Sequence, residues 1–130
     1  MRYLLDTNII VDHLRKKRKL DPVWLVEGCA VSAITQAELF YGTERSTNPA
    51  KSFVEVTAAL KEAKAEVIAI NGDIVKIWAR EKVKLEKRGE KIEDFDLLIA
   101  ATALSLDLEL VTRNVRHFER VKGLRIFEGN

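Results

Sequence analysis

Apolar positions along this chain alternate between two kinds of segment. Short, almost wholly apolar runs occur at Tyr3–Leu5, Cys29–Val31, Val67–Ile70, Leu108–Thr112 and Leu124–Phe127. Runs that are apolar on both faces predict strands of a parallel sheet covered from both sides. Between them the apolar residues recur at helical spacing. Ile10 and Leu14 share a face. Thr35–Glu44 reads as a second helix, and Phe53–Ala63 as a third, striped by Phe53, Val56, Ala59, Leu60 and Ala63. Ile74, Ile77, Trp78 and Leu85 stripe a longer helix between Asp73 and Arg88, whose other face is rich in Lys and Glu. Leu97–Leu106 is apolar nearly all round, which predicts a helix buried between other elements. The breakers Asn48-Pro49, Asn71-Gly72, Gly89 and Gly123 fall between these segments. The pattern predicts one α/β domain over residues 1–130, with a central, mostly parallel five-stranded sheet flanked by helices.

Composition narrows the class. With 47% hydrophobic residues over 130 positions, the chain can bury a core without disulfides or structural metal. Its one cysteine, Cys29, cannot form an internal bridge and sits in an apolar strand as a small core residue. No apolar run approaches the ~20 residues of a membrane span. The opening Met1–Asp6 meets an acid too early for a leader peptide, so a reducing cytoplasm is the expected compartment. The net charge of +2 is low for a protein that coats duplex nucleic acid, so contacts to nucleic acid must come from local patches.

Ligands of open α/β sheets bind beyond the carboxyl ends of the strands, so the polar residues that follow each strand are the ones to inspect. Asp6 follows the first strand, Glu38 lies one turn into the helix after the second, and Asp96 opens the buried helix before the fourth. Each has a structural explanation. Asp6 suits a helix cap, Thr35-Gln36-Ala37-Glu38 has the form of a capping box, and Asp96 lies in a first turn that favours acids. Together they suggest more, because converging carboxylates repel one another unless a cation or shared proton sits among them. Oxygen donors without Cys or His favour Mg2+ or Mn2+ over zinc. Other chemistries lack their residues. The chain has no phosphate-binding GxxxxGK[ST], no GxGxxG and no GxSxG, and His13 and His117 lack ligand spacing. Asn8 stands where a D-x-D phosphatase needs its second acid. Two basic groups remain. Arg15–Lys19 reads either as a solvated helix end or as a phosphate-contacting arm, and Arg113, Arg116 and Arg120 lie beside the acids.

Four segments, in order, carry a resemblance. Leu4-Leu5-Asp6-Thr7-Asn8-Ile9-Ile10, Ile34–Gly42, Asp94–Ala103 and Leu110-Val111-Thr112-Arg113-Asn114 with His117-Phe118 resemble the successive motifs of PIN-domain ribonucleases. The resemblance runs the length of the chain and is nearest to VapC toxins of prokaryotic toxin–antitoxin pairs. It implies a PIN-like fold and Mg2+- or Mn2+-dependent hydrolysis of RNA. Asp6, Glu38 and Asp96 carry over as catalytic, metal-binding acids, with Arg113 and Arg116 as candidate phosphate contacts. The fourth acid common in the family is replaced here by Asn114, which can ligate through oxygen but adds no charge. The resemblance also implies a VapB-like antitoxin. On physical grounds such an inhibitor could place an Arg among the three acids and an apolar segment in a groove between surface helices, for which the Phe53–Ala63 stripe is either a wall or ordinary core. A homodimer is expected as well. The alternative is a non-catalytic PIN-like module that binds RNA or protein.

Overall fold

The computed structural model describes residues 1–129. Tyr3–Leu5 (β1), Cys29–Ser32 (β2), Glu66–Ile68 (β3) and Glu109–Val111 (β4) form a parallel sheet in the order β3-β2-β1-β4. The helices among the described residues are Thr7–Leu14 (α1), Pro22–Glu27 (α2), Ala33–Glu44 (α3), Pro49–Glu62 (α4), Gly72–Lys87 (α5), Asp94–Leu106 (α6) and Val115–Phe118 (α7).

Alternation along the strands explains the layers. Tyr3, Leu5, Cys29, Val31 and Val111 point into one core with Ile9 and Ile10 of α1, Trp24 of α2, Leu39 of α3, and Val56 and Ala59 of α4. Leu4, Ala30 and Leu110 point into the opposite core with Leu85 of α5, Leu97, Ile99, Ala100 and Ala103 of α6, and Phe118 of α7. Both faces of β1 are thus dry, which is why its sequence shows no polar alternation. α6 is buried along much of its length, as its continuous apolarity requires.

Two expectations need correction. The sheet has four strands rather than five. Leu124–Phe127 contributes one parallel bridge, Leu110 to Ile126, held by Leu110 N–H donating to Arg125 O and Phe127 N–H donating to Leu110 O at 2.9 Å each. The segment emerges from a turn at Gly123 (φ +84°) and touches the sheet too briefly to extend a ladder. The capping box at Thr35–Glu38 is also absent. α3 starts earlier, with Ser32 accepting from Ile34 N–H at 3.0 Å, so Thr35 is buried and Glu38 is released from capping. The short helices α2 and α7 go unannounced by hydrophobic periodicity, though Asp21-Pro22 is a cap-plus-N1 signature that α2 uses.

The strand order places the site. The chain moves outward from β1 to β2 to β3, then returns to β4 on the other side of β1. The order reverses at β1, and the carboxyl ends of β1, β2 and β4 open on the same edge. No helix among the described residues is long and apolar enough to cross a membrane.

Leu4, fully buried on the central strand, should be far more sensitive than Val67, which is 39% exposed on the edge strand. Leu4→Ala is expected to destabilise the chain by about 3 kcal/mol through lost burial and a residual cavity. Val67→Ala is expected to cost less than about 1 kcal/mol. Urea unfolding of both variants checks the difference.

Candidate active site

The acid at the end of β1 is built into the backbone. Asp6 N–H donates to Val111 O (2.9 Å), joining the ends of β1 and β4, and its side chain is 4% exposed. One carboxylate oxygen accepts from Thr7 N–H at the start of α1 (2.8 Å). The other accepts from the Thr112 hydroxyl (2.7 Å) and from Asn8 Nδ2 (3.2 Å). Asp6 is therefore both a cap and a site residue.

Glu38 reaches the same place from α3. Its Oε1 accepts from Thr7 Oγ1 at 2.6 Å, and that hydroxyl lies 3.1 Å from Thr35 Oγ1. Asp96 projects from the first turn of α6, where the helix dipole favours a negative charge. His117 Nε2 of α7 stands 3.2 Å from Asp96 Oδ2, at ion-pair distance but without hydrogen-bond alignment. Neighbouring Asp94 turns away to pair with Lys82 Nζ at 2.7 Å, which leaves Asp96 as the α6 acid of the site.

Asp6, Glu38 and Asp96 line one cleft of about 310 Å³, together with Asn8, Arg113 and Asn114. Burial raises the Asp6 carboxyl above its ordinary value. The hydrogen bonds from Thr112 and Thr7 oppose that rise, and the charges of Asp96 and Glu38 add to it. The three acids thus share a field. They do not already converge on a point, since no group of three His, Cys, Asp or Glu at ligating spacing occurs among the described residues. Each carboxylate rests on a hydroxyl, backbone or imidazole partner instead. The donor set is nevertheless all hard oxygen, in a cleft where negative charges repel, and that chemistry fits a divalent cation such as Mg2+ or Mn2+.

The other expected residues divide. Asn114 lines the cleft at the start of α7, and its side chain makes no capping bond, so the carboxamide is unspent. Arg113 also lines the cleft. Arg116 is exposed on α7 and is not among the cleft-lining residues. Sequence reasoning assigns no role to Thr7 and Thr112 and sets His117 aside as a ligand, although these are the partners that hold the acids. Thr7 and Thr112 lie inside recognised motifs, but their roles depend on contacts between residues far apart in the chain.

A hollow of about 610 Å³ lies away from the acids. Its lining includes Leu14, Leu20 and Leu25, together with Glu55, Ala58 and Ala59 of α4. Glu55, Ala58, Ala59 and Glu62 of α4 border this hollow, whereas Val56, Ala59, Leu60 and Ala63 of the expected stripe pack in the core. Phe53 points elsewhere, packing on Phe40 with ring centroids 5.4 Å apart.

Comparison with known proteins places this arrangement. The PIN domain family model matches residues 3–124. The chain is 35% identical over 129 residues to Ribonuclease VapC2 of Haemophilus influenzae, covering 96% of each sequence. It is 29% identical over 133 residues to the tRNA(fMet)-specific endonuclease VapC of Salmonella typhimurium, covering 97% of this chain and 96% of the relative. Among solved structures, a chain of VapBC2 from Rickettsia felis bound to a promoter DNA fragment superposes with a TM-score of 0.90. It is 28% identical, with each chain fully covered. The family-model match over residues 3–124 and these full-length likenesses show that the chain belongs to the PIN-domain family.

Proposed function

We propose that the chain is a metal-dependent ribonuclease of the VapC type, the toxin of a toxin–antitoxin pair. The observation that carries this reading is the meeting of Asp6, Glu38 and Asp96 in one cleft at the carboxyl edge of the sheet, where the strand order reverses. The full-length likeness to proteins named as ribonuclease and endonuclease supports it. A non-cutting module has no need for three mutually repelling acids, so it is the less favoured reading.

In the proposed mechanism Asp6 and Asp96 would hold Mg2+ or Mn2+, with Glu38 completing the set directly or through water, and a cation held there would supply charge neutralisation at an RNA phosphodiester and a more acidic water. Thr7 N–H and the Thr112 hydroxyl fix the orientation of Asp6, and Thr7 Oγ1 does the same for Glu38. Asn114 offers a neutral oxygen where many relatives place an acid, so a second cation is held less strongly. Arg113 is the cation that lines the cleft and is assigned to a substrate phosphate. Arg116, farther out on α7, is assigned to the RNA beyond it.

A cytoplasmic ribonuclease requires an inhibitor, and the Rickettsia felis and Salmonella typhimurium structural relatives are VapBC complexes. The proposed partner is a VapB-like antitoxin that places an Arg among Asp6, Glu38 and Asp96, substituting a guanidinium for the metal. The rest of its contact is an apolar segment seated in the hollow beside α4. A homodimer, which aligns two clefts, completes the proposed assembly.

Three outcomes test the reading. Asp6→Asn and Asp96→Asn should each lower Mg2+- or Mn2+-dependent RNA cleavage by more than about 100-fold, since ligand loss exceeds the typical effect of outer-shell changes. Near-wild-type cleavage by either variant contradicts the assignment. Metal-free stability should show the cost of ionising Asp6. Because its folded carboxyl titrates above its ordinary value, the wild type is penalised at neutral pH and recovers as the pH falls through the raised value towards the ordinary one. The metal-free wild type should therefore gain stability from this group as the pH falls through that range, and Asp6→Asn, which cannot titrate, should remove that part of the pH dependence of melting. In cells, expression of the chain alone should arrest growth, co-expression of the cognate antitoxin should restore it, and Asp96→Asn should be harmless. A wild-type chain that is harmless at high expression favours the non-cutting module.

A further inference from the structure

One buried acid has no part in the site as described. Asp12 is 5% exposed, in the last turn of α1, where the negative end of the helix dipole disfavours a carboxylate. It neither caps a helix nor lines the acidic cleft. Its Oδ2 stands 2.9 Å from Arg113 Nε, and Arg113 is the cation lining that cleft. Asp12 also acts through its backbone, because its carbonyl accepts from Lys17 N–H at 2.9 Å and Arg18 N–H at 3.5 Å. The Asp12 side chain therefore holds Arg113, while its backbone carbonyl, which any residue would supply, holds Lys17 and Arg18 within the basic run Arg15–Lys19.

Those two basic elements meet in space. Arg113 lies on the wall between the acidic cleft and a neighbouring hollow of about 870 Å³. That hollow is lined by Arg18 and Lys19 on one side and by Trp24, Val115 and Phe127 elsewhere, with Asp21 and Glu128 also present. Asp21 is occupied in capping α2 through Val23 N–H. Among the described residues Arg18 and Lys19 pair with no carboxylate, and Arg113 has no ion pair besides Asp12. The rest of the Arg113 guanidinium remains open to a phosphate, and its side chain is 52% exposed.

We propose that the RNA strand leaves the acidic cleft across Arg113 and runs into this hollow, its backbone phosphates on Arg18 and Lys19, with Asp12 as the positioning residue that holds Arg113 in line. This rests on the ribonuclease reading and adds a direction for the substrate and a role for a buried acid. Single-stranded RNA suits the hollow because a flexible backbone can follow a path from Arg113 to Arg18 and Lys19.

The sign of one substitution separates positioning from plain electrostatics. Removing the Asp12 charge near a polyanion should tighten RNA binding if charge alone matters. If Asp12 positions Arg113, Asp12→Asn weakens binding.

The experiment uses the full chain carrying Asp96→Asn, Mg2+ and an unstructured single-stranded oligoribonucleotide, with the dissociation constant measured against salt concentration. Arg18→Ala with Lys19→Ala should reduce the steepness of the log–log salt dependence by about 1.4, at about 0.7 per phosphate contact on a single strand. Both residues are exposed, so their loss leaves folding intact. Lys76→Ala with Lys87→Ala, an equal charge change on exposed positions of α5, should leave the steepness unchanged. Asp12→Asn should weaken binding as Arg113→Ala does and add nothing in the Arg113→Ala background. In the cleaving chain, the same two changes should raise KM more than they lower kcat. Equal effects from the two lysine and arginine pairs overturn the path. Additive or tightening effects of Asp12→Asn overturn the positioning role. If the parent chain binds no RNA at all and the wild type cuts none, the ribonuclease reading itself fails, and this inference fails with it.

Discussion

The buried Asp6 carboxylate at the end of β1 is the constraint around which the cleft is organised. An ionised carboxylate with 4% exposure is unfavourable unless it is hydrogen-bonded, and two further acids across the cleft add to the strain. Its partners join near and distant segments. Thr7, next in the chain, starts α1, Thr112 follows β4, and the Asp6 backbone N–H closes on Val111. Satisfying this one group therefore fastens β4 beside β1 and sets the direction in which α1 departs. The Thr112 hydroxyl extends the link, because it also accepts from Asn114 N–H at 3.0 Å and so orders the turn into α7. The fold and the cleft are stabilised by the same bonds, which oppose part of the rise that burial imposes on the Asp6 carboxyl.

How much of this was legible in the chain depends on how local each cause is. β1, β2 and β4 announce themselves because burial on both faces leaves no polar alternation. Asp6 is legible as the abrupt end of such a run. β3 is harder. Its Glu66 and Val67 are exposed at the sheet edge, and the observed strand starts and stops earlier than the apolar stretch Val67–Ile70 suggests. Leu124–Phe127 has a strand's composition but only one bridge's worth of neighbour, and composition does not encode how far two segments run side by side. The helix after β2 fails at its boundary. Thr35-x-x-Glu38 satisfies the capping-box pattern, yet Ser32 caps three residues earlier, and that shift converts Glu38 from a cap into a cleft acid. The three acids were legible because they belong to recognisable motifs. Their partners were not, since Thr7–Glu38 and Thr112–Asp6 are tertiary contacts between segments 31 and 106 positions apart.

Charge in the cleft follows a simple physical rule. Three carboxylates that share a field need a positive or hydrogen-bonding counterpart, and the chain supplies it piecemeal through hydroxyls, a backbone N–H and His117. These partners are neutral or, for the imidazole, conditionally charged, so they hold the side chains without removing the net negative potential. In the proposed function a divalent cation and an antitoxin guanidinium satisfy the same deficit with different geometry. A cation accepts oxygens from several directions, including those of a phosphate, whereas a guanidinium fills the plane with its own donors and leaves no place for substrate. Mutual exclusion then needs no conformational switch, because both ligands draw on one deficit of positive charge. Arg113 does not remove that deficit, since Asp12 holds its Nε at the wall of the cleft and directs part of its charge away from the acids. A cation left free there could fold inwards onto Asp6 or Asp96 and compete with the metal. Held at the wall, Arg113 leaves the acids open to the proposed ion and its own guanidinium open to the proposed RNA path.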